Sequence, residues 1–187
     1  MDRPRKREAG FTIVEVLVAI FILMIGALAT FGLLTDAIRN TQRAKATQVA
    51  LDRAQQELET LRSLPYQELA LTATPVAETN PLSPNYRVSA GTFAVIREPP
   101  SSYYSLVVNP VEGKVLPGPE SFSSGDVSGK IYRYVVWRKD EKCGTCSSGQ
   151  DFKQVVVAVK LDKLSNDPRE RSYVEVQSDF VDPARGP

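Results

Sequence analysis

Residues 11–35 read FTIVEVLVAIFILMIGALATFGLLT, and Glu15 is the only ionisable side chain in this run of 25 residues. An α-helix of that length extends about 37 Å, which is enough to cross a hydrocarbon core of about 30 Å. A carboxylate inside such a helix costs about 2.5–3.5 kcal/mol on insertion scales. We therefore expect Glu15 to serve a function and to need a positively charged partner.

The ten residues before this run form a short basic leader that contains Arg3, Arg5, Lys6 and Arg7. Basic residues stay on the cytoplasmic side of a membrane span, so we expect the N-terminus in the cytoplasm. The apolar run exceeds the core of a secretory signal peptide, and no small-x-small cleavage site follows it. A cut between Gly10 and Phe11 would create an α-ammonium group one helical turn from Glu15, which would supply the missing partner.

The segment Gly10-Phe11-Thr12-Ile13-Val14-Glu15, with its basic leader and its apolar helix, resembles the processing signal of type IV pilins and pseudopilins. The resemblance implies that a prepilin peptidase cleaves after Gly10 and methylates the new N-terminus of Phe11. It also implies that Glu15 is the glutamate that sets the register between subunits. The resemblance covers about the first third of the chain. An ordinary signal anchor with one glutamate is the alternative.

The predicted organisation is a leader at 1–10, the transmembrane half of a long helix at 11–35, its amphipathic half at 36–64 and an exported pilin-like β domain at 65–187. Pro65 ends the helix, because the residue before a proline avoids the helical conformation. The predicted core face of the amphipathic half consists of Leu51, Ala54, Leu58 and Leu61, which recur at three- and four-residue steps. The predicted solvent face carries Arg43, Asp52, Arg53, Glu57, Glu59 and Arg62. A coiled-coil partner is the alternative use of the leucine row.

Short runs of β-branched and aromatic residues follow the helix and predict strands at 86–89, 92–97, 103–108, 130–138, 153–161 and 173–180. Residues 111–128 contain Gly and Pro throughout and are predicted to form a long loop. Strands that follow one long helix indicate an α+β fold. The pilin resemblance implies the same architecture, with the exported half of the helix packed on an antiparallel sheet of about four strands.

Two cysteines, Cys143 and Cys146, lie in the polar connection KDEKCGTCSSGQDF between the two clearest strands. Their CxxC spacing is shared with thiol oxidoreductases, so a membrane-anchored thiol redox protein is the alternative from another functional class. A reactive thiolate usually needs a helix N-terminus or nearby cations, and this loop carries Asp140 and Glu141 instead. We expect a small disulfide that stiffens an exposed loop.

The composition argues against several functional classes. The 23 basic and 22 acidic side chains nearly balance, which gives no support for nucleic-acid binding. Histidine is absent, which removes the commonest general base and the commonest zinc ligand. We therefore expect no catalytic site, no metal site and no cofactor, and the chain is not predicted to be an enzyme.

The predicted function is assembly. The chain resembles a minor type IV pilin of the pilus-modification (PilV-type) class, and pseudopilins of type II secretion or competence (DNA-uptake) systems are the alternatives. The predicted partners are the prepilin peptidase, the membrane and other pilin subunits, which it would contact through the N-terminal helix. The predicted location is first the cytoplasmic membrane, with a single span and the C-terminal domain outside. It is then an extracellular pilus or a filament in the cell envelope.

Overall fold

A computed structural model of the protein describes residues 12–95, 103–140, 150–162 and 173–183. Helix α1 is Ile13–Arg62, and a short 3-10 helix follows at Pro84–Arg87. The described strands are β1 (Val88–Ser89), β2 (Thr92–Ala94), β3 (Tyr103–Ser105), β4 (Glu120–Ser124), β5 (Val127–Arg138), β6 (Phe152–Leu161) and β7 (Tyr173–Phe180).

The chain divides into two compact units, Met1–Arg43 and Ala44–Pro187. In the first unit the described residues after Thr12 are all helical, and their side chains are almost all exposed. In the second unit the last five turns of α1 join the strands around one hydrophobic core.

The strands form two antiparallel sheets, a larger one in the order β4-β5-β6-β7 and a smaller one in the order β1-β2-β3. The long pair β5–β6 is aligned from Gly129 opposite Leu161 to Arg138 opposite Phe152. The predicted α+β fold, with one long helix and an antiparallel four-stranded sheet, is confirmed. The second sheet of three short strands was not predicted.

The larger sheet lies between two layers of the second unit. One face, which includes Arg133 and Ser178, receives α1, because Arg133 bonds Glu57 and Ser178 bonds Arg62. Tyr134 points to the opposite face because side chains alternate along a strand. There its ring stacks on Phe93 of β2, with ring centroids 3.9 Å apart.

The buried stripe of α1 is shifted relative to the prediction. The helix residues in the core are Ala50, Ala54, Leu58 and Leu61. Leu51 is 37% exposed, so its place in the predicted core face was wrong. At 100° per residue, Leu51 lies about 80° around the helix axis from Leu61, whereas Ala50 lies only about 20° away. The small Ala50 therefore faces the core.

The predicted loop at 111–128 was also wrong in part, because β4 runs through Glu120–Ser124 and pairs with the start of β5. A two-residue turn joins the two strands, with Ser124 opposite Val127. Gly125 is the first central residue of this turn and has a φ of 57°. Gly-Asp between two strands is a known hairpin signal. That signal was available at Gly125-Asp126 and was missed, because the serine-rich strand before it has a single apolar residue, Phe122.

Candidate assembly site

The candidate assembly site begins at the first residue that the structure describes. Thr12 precedes the helix, and its Oγ1 accepts a hydrogen bond from the backbone N–H of Glu15 at 3.3 Å. This is the bond that a threonine N-cap makes to the third helical residue, and it satisfies one of the four free N–H groups of the first turn. The motif Thr-x-x-Glu therefore starts α1 as well as supplying a carboxylate.

Glu15 lies in the first turn of α1. A negative charge is favoured there by the helix dipole, typically by about 0.3–1 kcal/mol. Its side chain is exposed, and no described residue forms an ion pair with it. Any cationic partner of this carboxylate therefore lies outside the described residues.

The other predicted site residues, Gly10, Phe11, Cys143 and Cys146, lie outside the described residues. Cleavage, methylation and the disulfide therefore remain predictions.

The apolar surface around Glu15 is extensive. Ile13 is 81% exposed, Leu28 is 72% exposed and Phe31 is 68% exposed. By length and composition α1 can cross a membrane. The apolar side chains surround the helix on all sides, so they are suited to lipid or to a bundle of like helices rather than to a groove on one partner.

In the second unit an ion-pair cluster joins α1 to the sheet. The Glu57 carboxylate accepts two hydrogen bonds from Arg133, at 3.0 Å from Nε and at 2.6 Å from Nη2. Arg53 reaches the other oxygen of Glu57 at 2.9 Å, and Glu120 of β4 lies 2.7 Å from Arg133 Nη2. Two cations and two carboxylates thus connect three elements with no net charge.

The placement of Glu57 corrects the sequence analysis, which put it on the solvent face. Its side chain is only 12% exposed, and that of Arg133 is 7% exposed. Glu57 follows Ala54 by three residues and precedes Leu61 by four, so it belongs to the buried stripe. The predicted neighbour pairs were confirmed, with Arg53–Glu57 at 2.9 Å and Glu59–Arg62 at 2.6 Å.

Sequence reasoning did not single out Arg133. The available signal was a lone arginine among the apolar and aromatic residues of IYRYVVW, at a position whose strand neighbours are buried. A buried arginine needs a carboxylate partner. The matching signal was Glu57 within an apolar helical stripe.

The sheet face away from α1 has its own polar anchor. Arg87 pairs with Glu175 of β7, and its guanidinium lies 4.4 Å from the centre of the Phe93 ring. The Tyr134 hydroxyl donates to Asn85 Oδ1 at 2.7 Å. Burial raises the pKa of Tyr134 well above its ordinary value of 10.0, against a smaller opposing effect of Arg87. These contacts hold the 3-10 helix and β2 against the sheet.

Lys153 closes the junction between the end of α1 and the sheet. Its Nζ donates to the backbone oxygen of Tyr66 at 2.7 Å, and it lies 4.3 Å from the centre of the Tyr66 ring and 5.4 Å from that of Trp137. Burial lowers the pKa of Lys153, and Asp182 partly opposes this effect. These contacts account for the position of this buried cation.

Residues 5–31 match the family model described as the prokaryotic N-terminal methylation motif. No curated protein and no solved structure matches the chain. The matched range includes Gly10, Phe11 and Glu15, and it ends within the exposed apolar part of α1. The chain therefore carries a prokaryotic N-terminal methylation motif at residues 5–31.

Proposed function

We propose that this chain is a minor type IV pilin, processed after Gly10 and assembled through its N-terminal helix into a pilus or pilus-like filament. The observation that carries the proposal is the coincidence of the methylation motif at 5–31 with an exposed apolar helix that continues into an α+β domain. A signal anchor would not need the processing residues.

The proposed mechanism uses the free carboxylate of Glu15. After cleavage, the amine of Phe11 on one subunit pairs with Glu15 on its neighbour, so each helix enters the bundle at a defined axial position. An ion pair is stronger in a medium of low dielectric than in water, and this offsets part of the cost of burying the carboxylate. The exposed apolar side chains of α1 supply the remaining contacts.

Glu15→Gln tests the charge with little change in side-chain volume. We expect the variant to enter the membrane normally. Its amount in sheared filaments should fall by at least about tenfold, which corresponds to about 1.4 kcal/mol of assembly free energy. Immunoblots of the membrane and filament fractions measure both steps. Glu59→Gln is the control, since Glu59 is an exposed acid of the same helix. Equal incorporation of the two variants would contradict the mechanism.

Processing is tested separately. Gly10→Glu should block the peptidase, because glycine leaves room for the close approach of the enzyme to the backbone. N-terminal sequencing and intact mass should show the mature wild-type chain beginning at a methylated Phe11 and the variant retaining its leader. If the wild-type protein kept its leader in cells, the proposed function would be wrong and the chain would be a membrane-anchored domain.

A further inference from the structure

The short helical segment after the apolar run has a charge pattern that assembly through Glu15 does not explain. Residues 36–43 are all exposed, and they contain Asp36, Arg39 and Arg43. If the leader is removed at Gly10, Arg39 and Arg43 are the only cationic side chains left in residues 11–43. The only basic residues that flank the apolar run in the first unit would then lie at its C-terminal end.

The two arginines share one face of α1, since residues four apart are neighbours on a helix. Counted from Thr35, the last residue of the apolar run, Arg39 lies about 6 Å along the helix axis and Arg43 about 12 Å. Each headgroup layer is about 5–7 Å thick. An arginine stem is long and apolar enough to place its guanidinium several ångströms from its Cα. Both guanidinium groups can therefore reach the headgroup layer.

The chemistry of arginine identifies the ligand. A guanidinium presents a planar set of donors that matches two oxygens of one phosphate group. Asp36 lies three residues before Arg39, so it competes for that arginine, while the segment as a whole keeps one net positive charge. An anionic lipid surface complements this segment, whereas a neutral surface offers it no net attraction.

We propose that Arg39 and Arg43 bind the phosphate groups of anionic phospholipids on the outer surface of the membrane. In this way they fix the depth of the processed subunit before assembly. The proposal rests on the proposed function, because it needs α1 to span a membrane with its C-terminal side outside. It adds a ligand class and a binding segment to that function.

The test uses the full processed chain in phosphatidylcholine vesicles with and without about 30% phosphatidylglycerol. Hydrogen–deuterium exchange reports on the backbone amides of residues 36–43. We expect these amides to exchange about fivefold more slowly in the anionic vesicles, and we expect the difference to disappear in high salt. Arg39→Ala/Arg43→Ala should abolish the difference. Lys114→Ala/Lys130→Ala is the matched control, because it removes two exposed cations of the second unit and should leave the difference intact.

Three outcomes would overturn the proposal. If the amide exchange rates of residues 36–43 were the same with and without phosphatidylglycerol, anionic lipid would not be the ligand. If exchange slowed as the protein-to-lipid ratio rose, with or without phosphatidylglycerol, the arginines would instead bind a second copy of this chain. Slowing by inorganic phosphate in neutral vesicles would assign them to a free anion. Alkaline carbonate extraction separates the two hypotheses: a chain that is released disproves the membrane span and the proposed function with it. If the chain stays inserted, only the proposed lipid binding of Arg39 and Arg43 fails, and the proposed function stands.

Discussion

Arg133 and Glu57 show how one buried charge constrains its neighbours. The guanidinium lies in a strand of apolar residues, and two hydrogen bonds join it to a carboxylate on the core side of α1. Burying either charge alone is costly, because a charge removed from water needs an opposite charge to offset its lost hydration. The half-exposed Glu120 contributes less, because solvent reaches it.

Arg133→Met should therefore destabilise the fold by about 3–5 kcal/mol, since it leaves the Glu57 carboxylate buried beside only Arg53. The double variant Arg133→Met/Glu57→Met should recover most of this loss, because an apolar pair of similar volume carries no desolvation cost. Urea unfolding of the detergent-solubilised chain measures both variants. A double variant as unstable as the single one would show that the residues act independently.

Tyr134 gives the fold a definite response to alkali. Its pKa is raised in the folded state, so above about pH 10 the unfolded chain releases this proton while the folded chain retains it. The stability should then fall with rising pH, by up to about 1.4 kcal/mol per pH unit for this group. Burial raises the pKa of Tyr132 in the same direction.

Tyr134→Phe should be less stable at neutral pH by about 1–3 kcal/mol, because the buried Asn85 Oδ1 loses its donor. The same variant should lose less stability than the wild type between pH 10 and 11. Unfolding midpoints at several pH values measure both effects. Tyr103→Phe, at a half-exposed position, controls for the removal of a hydroxyl. Parallel pH profiles for the wild type and Tyr134→Phe would contradict the assignment.

At the level of elements, the hairpin of β4 and β5 depends on two glycines for different reasons. A Cβ on Gly129 would lie 2.3 Å from the Lys160 backbone oxygen and 2.8 Å from the Phe122 ring. A Cβ on Gly125 would meet nothing within 4 Å, but its φ of 57° lies in the left-handed region. The first glycine permits close strand packing, and the second permits the turn.

Gly129→Ala should destabilise the fold by about 1–3 kcal/mol, because backbone atoms must move to admit the methyl group. Gly125→Asn is the control and should cost only a few tenths of a kcal/mol, since asparagine adopts the left-handed conformation more readily than other side chains. Thermal unfolding compares the two. Equal losses would show that the turn, and not the packing, limits this hairpin.

The elements also show what the sequence alone predicts. Apolar runs with strong strand propensity were enough to predict β5, β6, β7 and the long helix, because hydrophobic pattern and turn residues agreed there. They were not enough for β4, whose serine-rich sequence forms a strand only because β5 supplies its hydrogen bonds. The burial of Glu57 could not be predicted either. A carboxylate on an amphipathic helix is expected to be exposed, and its partner Arg133 is distant in the sequence. At the candidate assembly site the motif singled out Glu15, and the proposed cationic partner lies outside the described residues.

At the scale of the whole molecule, burial is concentrated in the second unit. Every described residue that is buried lies after Ala46, which is itself only partly buried. The last turns of α1 provide one wall of this core. The second unit should therefore fold without the apolar run, but not without its part of the helix.

A fragment of residues 36–187 should be soluble and unfold cooperatively, whereas a fragment of residues 65–187 should aggregate, because Ile131 and Val157 would lose their cover. Size-exclusion chromatography and circular dichroism distinguish the two outcomes. A folded, monomeric 65–187 fragment would show that the strands form a core by themselves.

The contact of Glu57 with Arg133 has a mechanical consequence. If α1 moved by one helical turn along the sheet, Leu61 or Arg53 would take the place of Glu57 opposite the Arg133 guanidinium. The buried guanidinium would then face an apolar side chain in the first case and a like charge in the second. One axial register of α1 on the sheet is therefore favoured over its neighbours. We expect residues 44–62 of α1 to resist sliding along the sheet until the second unit itself unfolds.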